Sequence, residues 1–228
     1  MLDAVNAAFR IVRGNLRSLD LMSITQGEKQ FFSVQSLHWG LTSELGTTNS
    51  WSNTLRIAYN LNYHSATLEY LLPEEEPAFS FCSWKEGCLR CQVSPSPAPD
   101  STELESSAQW HCLEGDFVLV TACNVTRISS DICAAPFAHL QDGLIDLVVV
   151  QECTRTQLLS LMSSLDSGSF VNTASFNTSP FVKYLRVRAF RLTSKGPSTC
   201  SLRIDGENHQ LEVPTLVATS PFTLNVLI

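Results

Sequence analysis

The sequence predicts a mainly β fold, an antiparallel sandwich with one or two helices, and three observations predict it. Short runs rich in apolar, β-branched and aromatic residues recur at 116–122, 144–150, 181–192 and 222–228. Asp205-Gly206, the pair most favoured in a tight hairpin turn, divides residues 199–213 into two arms. A helical period of apolar residues is clear in only two short segments, near the start of the chain and after Thr154.

Taken in order, Leu2, Val5, Phe9 and Val12 recur at spacings of three and four, which places one helix over residues 2–13. Gly14 follows as its C-terminal cap. Strands are expected at 19–24 and 30–39, whereas 55–72 fits helix and strand equally. Between about 73 and 110 the composition shifts. Pro73-Glu74-Glu75-Glu76-Pro77 and Ser94-Pro95-Ser96-Pro97-Ala98-Pro99-Asp100 lack backbone donors and offer little to bury, so a disordered surface insert is expected there. Strands resume at 116–122 and 144–150. Thr154 then caps a helix to Leu165, with Leu158, Leu161, Met162 and Leu165 as its apolar stripe. Residues 181–192 read as one long strand and 222–228 as the last.

A net charge of −7 on 228 residues excludes a general nucleic-acid binder, because such proteins draw affinity from clustered Lys and Arg. The 10 glycines are scattered and form no G-x-G, so nothing here cradles a phosphate chain. No G-x-S-x-G elbow accompanies the five histidines. The eight cysteines are irregularly placed and no secretory leader pattern precedes them, which favours reduced thiols in the cytosol. Cys88-x-x-Cys91, with Cys82 before and His111-Cys112 after, outlines a zinc set. Its second pair has the wrong spacing for a finger, so scattered cysteines and no metal are the preferred reading. Asp205-Gly206-Glu207 alone reads as a hairpin turn, although its two carboxylates would also suit a Mg²⁺–phosphate group. Lys183, Arg186, Arg188 and Arg191 read as a solvated basic face.

Several segments occur in a shared order: Leu19-Asp20-Leu21-Met22-Ser23, Phe32 to Gly40, Asp116-Phe117-Val118, Ala134 to Gly143, Ser179 to Tyr184 into Arg188 to Leu192, and Asp205-Gly206-Glu207. As a set they resemble the C-terminal lobe of sphingosine (long-chain-base) kinases, relatives of the diacylglycerol kinases. The resemblance implies a β-sandwich lipid-binding domain over 16–228, with 1–15 as the end of an N-terminal α/β lobe. It implies ATP-dependent phosphorylation of a sphingoid base by the whole enzyme, with Mg-ATP as cosubstrate. In that family the glycine loop and the catalytic aspartate belong to the N-terminal lobe, so a truncated chain, inactive alone and with no tight Mg-ATP site, is expected.

Residue by residue, Leu41, Thr42, Leu45, Phe137, Val148, Leu158, Leu161, Leu165, Phe170 and Val182 fall where the family lines its lipid pocket. Arg56, Asp205, Gly206 and Glu207 fall at nucleotide-contacting positions. The family recognises the lipid amine with an acidic pair two residues apart; here Glu44 holds the first position and Gly46 the second. That departure leaves two alternatives: a non-catalytic lipid- or partner-binding module, and a ceramide or diacylglycerol kinase relative. A cytoplasmic protein with transient, peripheral membrane contact is the accompanying expectation.

Overall fold

The computed structural model describes residues 4–41, 59, 61–75, 79–82, 88–92, 97–99, 101–105, 110–171, 180–196, 201–211 and 214–227. The first helix, α1, spans Ala4–Arg13 and stops at Gly14, whose φ of 65° only glycine adopts without strain. The Gly14 amide closes that end on the Arg10 carbonyl at 3.1 Å. The apolar side of α1 stays open, with Phe9 54% and Val12 84% exposed.

Eleven strands follow in one antiparallel sheet: β1 (Leu16–Gln26), β2 (Lys29–Ser33), β3 (Ser36–Gly40), β4 (His64–Leu71), β5 (Trp110–Cys123), β6 (Ile145–Gln151), β7 (Val182–Val187), β8 (Ala189–Ser194), β9 (Ser201–Ile204), β10 (Glu207–Gln210) and β11 (Thr215–Leu227). The main path runs β10-β9-β3-β5-β4-β8-β11-β1-β2, and β6 and β7 branch from it at β5. Strand β5 makes the branch by changing partners along its length. Trp110 to Phe117 pair with β4, Leu119 to Cys123 pair with β3, and β6 lies along the second half. At the switch the β3 end passes very close: a Cβ on Gly40 (φ 78°) would stand 2.6 Å from the Val118 carbonyl oxygen. Glycine is the residue that fits there.

Strand β6 explains why 144–150 reads as an unbroken apolar run. Its residues from Ile145 to Val150 are all buried because both faces of the strand are covered. Ile145, Leu147 and Val149 join the main core with Trp39, Phe117, Phe190 and Leu192. Val148 and Val150 face the other way, into a second core beneath α4 (Arg155–Ser164). Helix α4 starts as expected: the Thr154 side chain accepts from the Gln157 amide, and Gln157 reaches back to the Thr154 amide at 2.7 Å, a reciprocal cap.

Three expectations need correction. The single strand over 181–192 is two, because at Arg188 the chain leaves β6 and joins β4 and β11 instead. The Arg188 amide donates to Leu71 and its carbonyl accepts from Thr219, which fixes the corner. The solvated basic face is also largely internal. Arg186 and Arg188 are buried, 3% and 5% exposed, and each is paired with acid. Within the expected insert, finally, the described residues make specific contacts. They include α2 (Leu89–Gln92) and α3 (Ser101–Glu105). Arg188 forms a two-pronged pair with Glu103 at 2.7 and 2.9 Å and also donates to the Pro97 carbonyl. Buried guanidinium groups need partners, and this proline- and acid-rich segment supplies them.

Candidate functional site

Most of the positions expected to line a lipid tail share one cluster. Leu41 at the end of β3, Phe137 in the β5–β6 connection, Val148 on β6, Leu158 and Leu161 on α4, and Val182 on β7 belong to one buried apolar cluster, with Phe170 packed against it. Their order along the chain gives no hint of this; the β6–β7 register does it, setting Val148 opposite Tyr184 and Val150 opposite Val182. Phe137 meets Tyr184 edge-on at 5.7 Å and Phe79 at 5.2 Å. Leu165 is half-buried at the end of α4, where its carbonyl accepts from Cys133. Thr42, Glu44, Leu45 and Arg56 lie outside the described residues.

One residue pair further along the same faces, Asp146 on β6 stands opposite Arg186 on β7. They begin a buried polar group around Asp142-Gly143, residues that the sequence marks as part of a family pattern and not as a buried ion network. Arg186 donates to Asp142, which also accepts from Arg90 Nε of α2 at 3.0 Å and, through its other oxygen, from the Leu144 amide at 3.2 Å. Asp146 accepts from the Tyr184 hydroxyl at 2.5 Å, and Arg186 Nε approaches it at 3.8 Å. Asp20 on β1 accepts from the amides of Asp142 and Gly143 at 2.9 and 2.7 Å. The Asp142-Gly143 turn is thus gripped from both strands.

Burial pushes the Asp146 carboxyl up to about 7, against the pull of Arg186. Burial likewise raises Asp20 to about 6, opposed chiefly by the Gly143 amide. Both groups hold a proton in the fold at pH values where the unfolded chain has released it. Stability is therefore fully present below about pH 4 as far as these two are concerned, and falls as pH rises towards 7. Asp146→Asn keeps an acceptor for Tyr184 but cannot ionise. Denaturant midpoints at pH 5 and pH 8 should differ less in this variant than in the unaltered chain. An unchanged difference would show that Asp146 is not the group responsible.

Asp205-Gly206 forms the expected hairpin turn between β9 and β10, with φ of 47° and 92°. The Asp205 carboxylate is fully engaged. One oxygen accepts from Ser33 Oγ and the amides of Gln35 and Ser36 at 2.8 to 2.9 Å, and the other accepts from the Val34 amide at 2.7 Å. The turn is thereby tied to the β2–β3 connection, while Glu207 points outward and is exposed.

The cysteines are not scattered. Cys82, Cys88 and Cys91 meet His139, their ligand atoms all within 4.8 Å of one another. Cys82 Sγ lies 3.8 Å from Cys91 Sγ, and His139 Nδ1 lies 3.2 Å from Cys88 and 3.6 Å from Cys91. The neighbour Cys82 holds the Cys91 thiol below its ordinary value, helped by His139 and the amides of Gln141 and Leu140 and opposed by burial. His111, the histidine that the sequence pattern sets beside these cysteines, stacks on Tyr70 at 5.4 Å and takes no part, and Cys112 is exposed.

Comparisons with known proteins agree with this fold. A family model described as the YegS C-terminal NAD kinase beta sandwich-like domain matches residues 96–228. Sphingosine kinase 1 of Arabidopsis thaliana is 34% identical over 210 residues, which cover 83% of this chain and 40% of that protein. Ceramide kinase of Mus musculus is 24% identical over 221 residues, covering 85% of this chain and 40% of that protein. A solved diacylglycerol kinase from Bacillus anthracis shares the fold, with a TM-score of 0.54 at 11% identity over 98% of this chain and 58% of that one. The chain spans about 40% of the length of these curated relatives.

Proposed function

The chain belongs to the YegS C-terminal, NAD-kinase-like β-sandwich family, as the C-terminal lobe of a sphingosine kinase, and from that premise we propose that it holds the lipid while a sphingoid base is phosphorylated from Mg-ATP. The observation that carries this reading is the convergence of Leu41, Phe137, Val148, Leu158, Leu161 and Val182 in one buried cluster. An alkyl tail among such side chains is stabilised by roughly 0.8 kcal/mol for each methylene withdrawn from water. Thr42, Leu45, Leu165 and Phe170 complete the tail site in this reading, and Glu44 faces the head group.

For the nucleotide, Arg56 and the Asp205-Gly206-Glu207 turn are the family positions on this chain. The fit is specific in one respect: Asp205 is used up in holding its turn, so Glu207 is the carboxylate left to face the Mg²⁺–phosphate group. Mg-ATP supplies the phosphoryl group and the charge neutralisation that its transfer requires. In the same reading α1, open on its apolar side, is where an N-terminal lobe joins, with the domain boundary near residue 15. Contact with a membrane is transient, made to collect the lipid; no described helix is long and apolar enough to cross one.

The 228 residues alone are expected to bind sphingosine yet form no sphingosine 1-phosphate with Mg-ATP. Tail-shortened analogues should lose affinity by about fourfold per methylene, read by tryptophan quenching or calorimetry, and Leu161→Gln should weaken all of them. Affinity indifferent to tail length would end the lipid-lobe reading, and near-family turnover would end the claim of inactivity. Ceramide and diacylglycerol as competitors decide the head group, which the pairing of Glu44 with Gly46 opens to question.

A further inference from the structure

We propose that Cys82, Cys88, Cys91 and His139 form a structural site for one Zn²⁺. The proposal is independent of which lipid the domain holds. Zinc prefers four N and S ligands at tetrahedral angles, with Zn–S near 2.3 Å and Zn–N near 2.0–2.1 Å. Those values require sulfurs about 3.8 Å apart and sulfur–nitrogen distances of about 3.6 Å. The cluster has 3.8 Å between Cys82 and Cys91, and 3.2 and 3.6 Å from His139 Nδ1 to Cys88 and Cys91. Three of the six edges of that tetrahedron thus lie within about 0.4 Å of the required lengths, and all four ligand atoms lie within 4.8 Å of one another.

Other features of the site agree. The Nε2 of His139 lies 3.1 Å from the Ser80 carbonyl, an acceptor, so Nε2 carries the proton and Nδ1 turns its lone pair to the sulfurs. Cys88 precedes α2 and Cys91 lies within it, so one helical turn presents both thiols on the same side. Cys88 and His139 are buried, 8% and 1% exposed, while a recess beside Arg17, Gln92 and Gln141 opens onto the sulfurs and gives an ion a way in. A disulfide is the competing fate, but at 3.8 Å Cys82 and Cys91 are unbonded, and the imidazole beside them has no role in one. Thiolate sulfur with imidazole nitrogen selects zinc over the hard cations that oxygen ligands hold. Four protein ligands leave no open position, which makes the site structural rather than catalytic.

With all three cysteines as thiolates and the imidazole neutral, the site and Zn²⁺ carry a net charge of −1, and binding displaces the thiol protons still held. The ion joins α2 to the β5–β6 connection that carries His139. Arg90, between the two helix cysteines, reaches Asp142 on that same connection. Zinc therefore pins Cys82 and α2 beside the buried polar group.

The 228-residue chain, purified under reducing conditions, is expected to carry one zinc per chain by elemental mass spectrometry. Replacing it with Co²⁺ should give sulfur-to-cobalt charge-transfer bands and the intense visible bands of a tetrahedral ion. Cys91→Ser and His139→Ala should each weaken zinc binding by more than the roughly 10–100-fold that loss of an outer partner costs. His111→Ala and Cys112→Ser should leave it unchanged. The cobalt spectrum of the unaltered chain needs no variant to fold, so it decides the question even if a ligand variant misfolds. A six-coordinate cobalt spectrum, zinc lost equally from the unaltered chain and the ligand variants, or a Cys82–Cys91 disulfide as the sole recovered state would each overturn the site.

Discussion

Asp142→Ala is expected to lower the free energy of unfolding by about 3–5 kcal/mol, the range for removing one partner of a buried ion pair. Arg186 and Asp142 are 2% and 3% exposed in their side chains, so water does not replace the lost partner. With the carboxylate gone, Arg186 keeps only Asp146, at 3.8 Å, and its Nη1 already lacks a hydrogen-bond partner. Arg90 and the Leu144 amide lose an acceptor as well. The penalty comes from the stranded cation rather than from the worth of the pair. Changing both partners to apolar residues, Asp142→Leu with Arg186→Met, should therefore recover much of the loss. Urea unfolding at pH 7 measures this. A loss below about 1 kcal/mol for Asp142→Ala, the size typical of a surface pair, would mean that the group is wetter than its burial indicates.

Much of the fold was legible because several strands carry their own signal, although β4 lies in a stretch that fits helix and strand equally. The runs at 116–122 and 144–150, the capped helix after Thr154 and the Asp205-Gly206 turn state their structure locally. The break at Arg188 does not, since residues 181–192 are uniformly strand-like and only the change of neighbours divides them. The same limit governs the sites. Cys82, Cys88 and Cys91 are visible as a set, but the sequence offers His111, beside Cys112, as their companion, and only the β5–β6 connection brings His139 to them. Composition alone made 73–110 look unstructured. What holds its described pieces is the need of buried Arg188 for a carboxylate on a distant segment. The assignment of apolar lining positions rests on family likeness, because their periodicity does not distinguish a tail-binding wall from a core.

Asp205→Ala should destabilise the fold second only to Asp142→Ala, and it separates two roles that the Asp205-Gly206-Glu207 motif combines. The carboxylate accepts four hydrogen bonds, three from consecutive backbone amides, Val34 to Ser36. Hydrogen bonds to a charged acceptor contribute about 1.5–3 kcal/mol each, and they are not additive when they share it. A loss of about 3 kcal/mol is the expected total, read as a lower urea midpoint. Asp205→Asn should lose less, because its amide oxygen still accepts from part of the set. Glu207→Gln should leave stability within about 0.5 kcal/mol, as exposed substitutions usually do. In a whole kinase the same change should raise the KM for Mg-ATP, since Glu207 is the carboxylate left outside the turn. If Glu207→Gln destabilises the fold while Asp205→Ala does not, the assignments are reversed, and Asp205 rather than Glu207 faces the nucleotide.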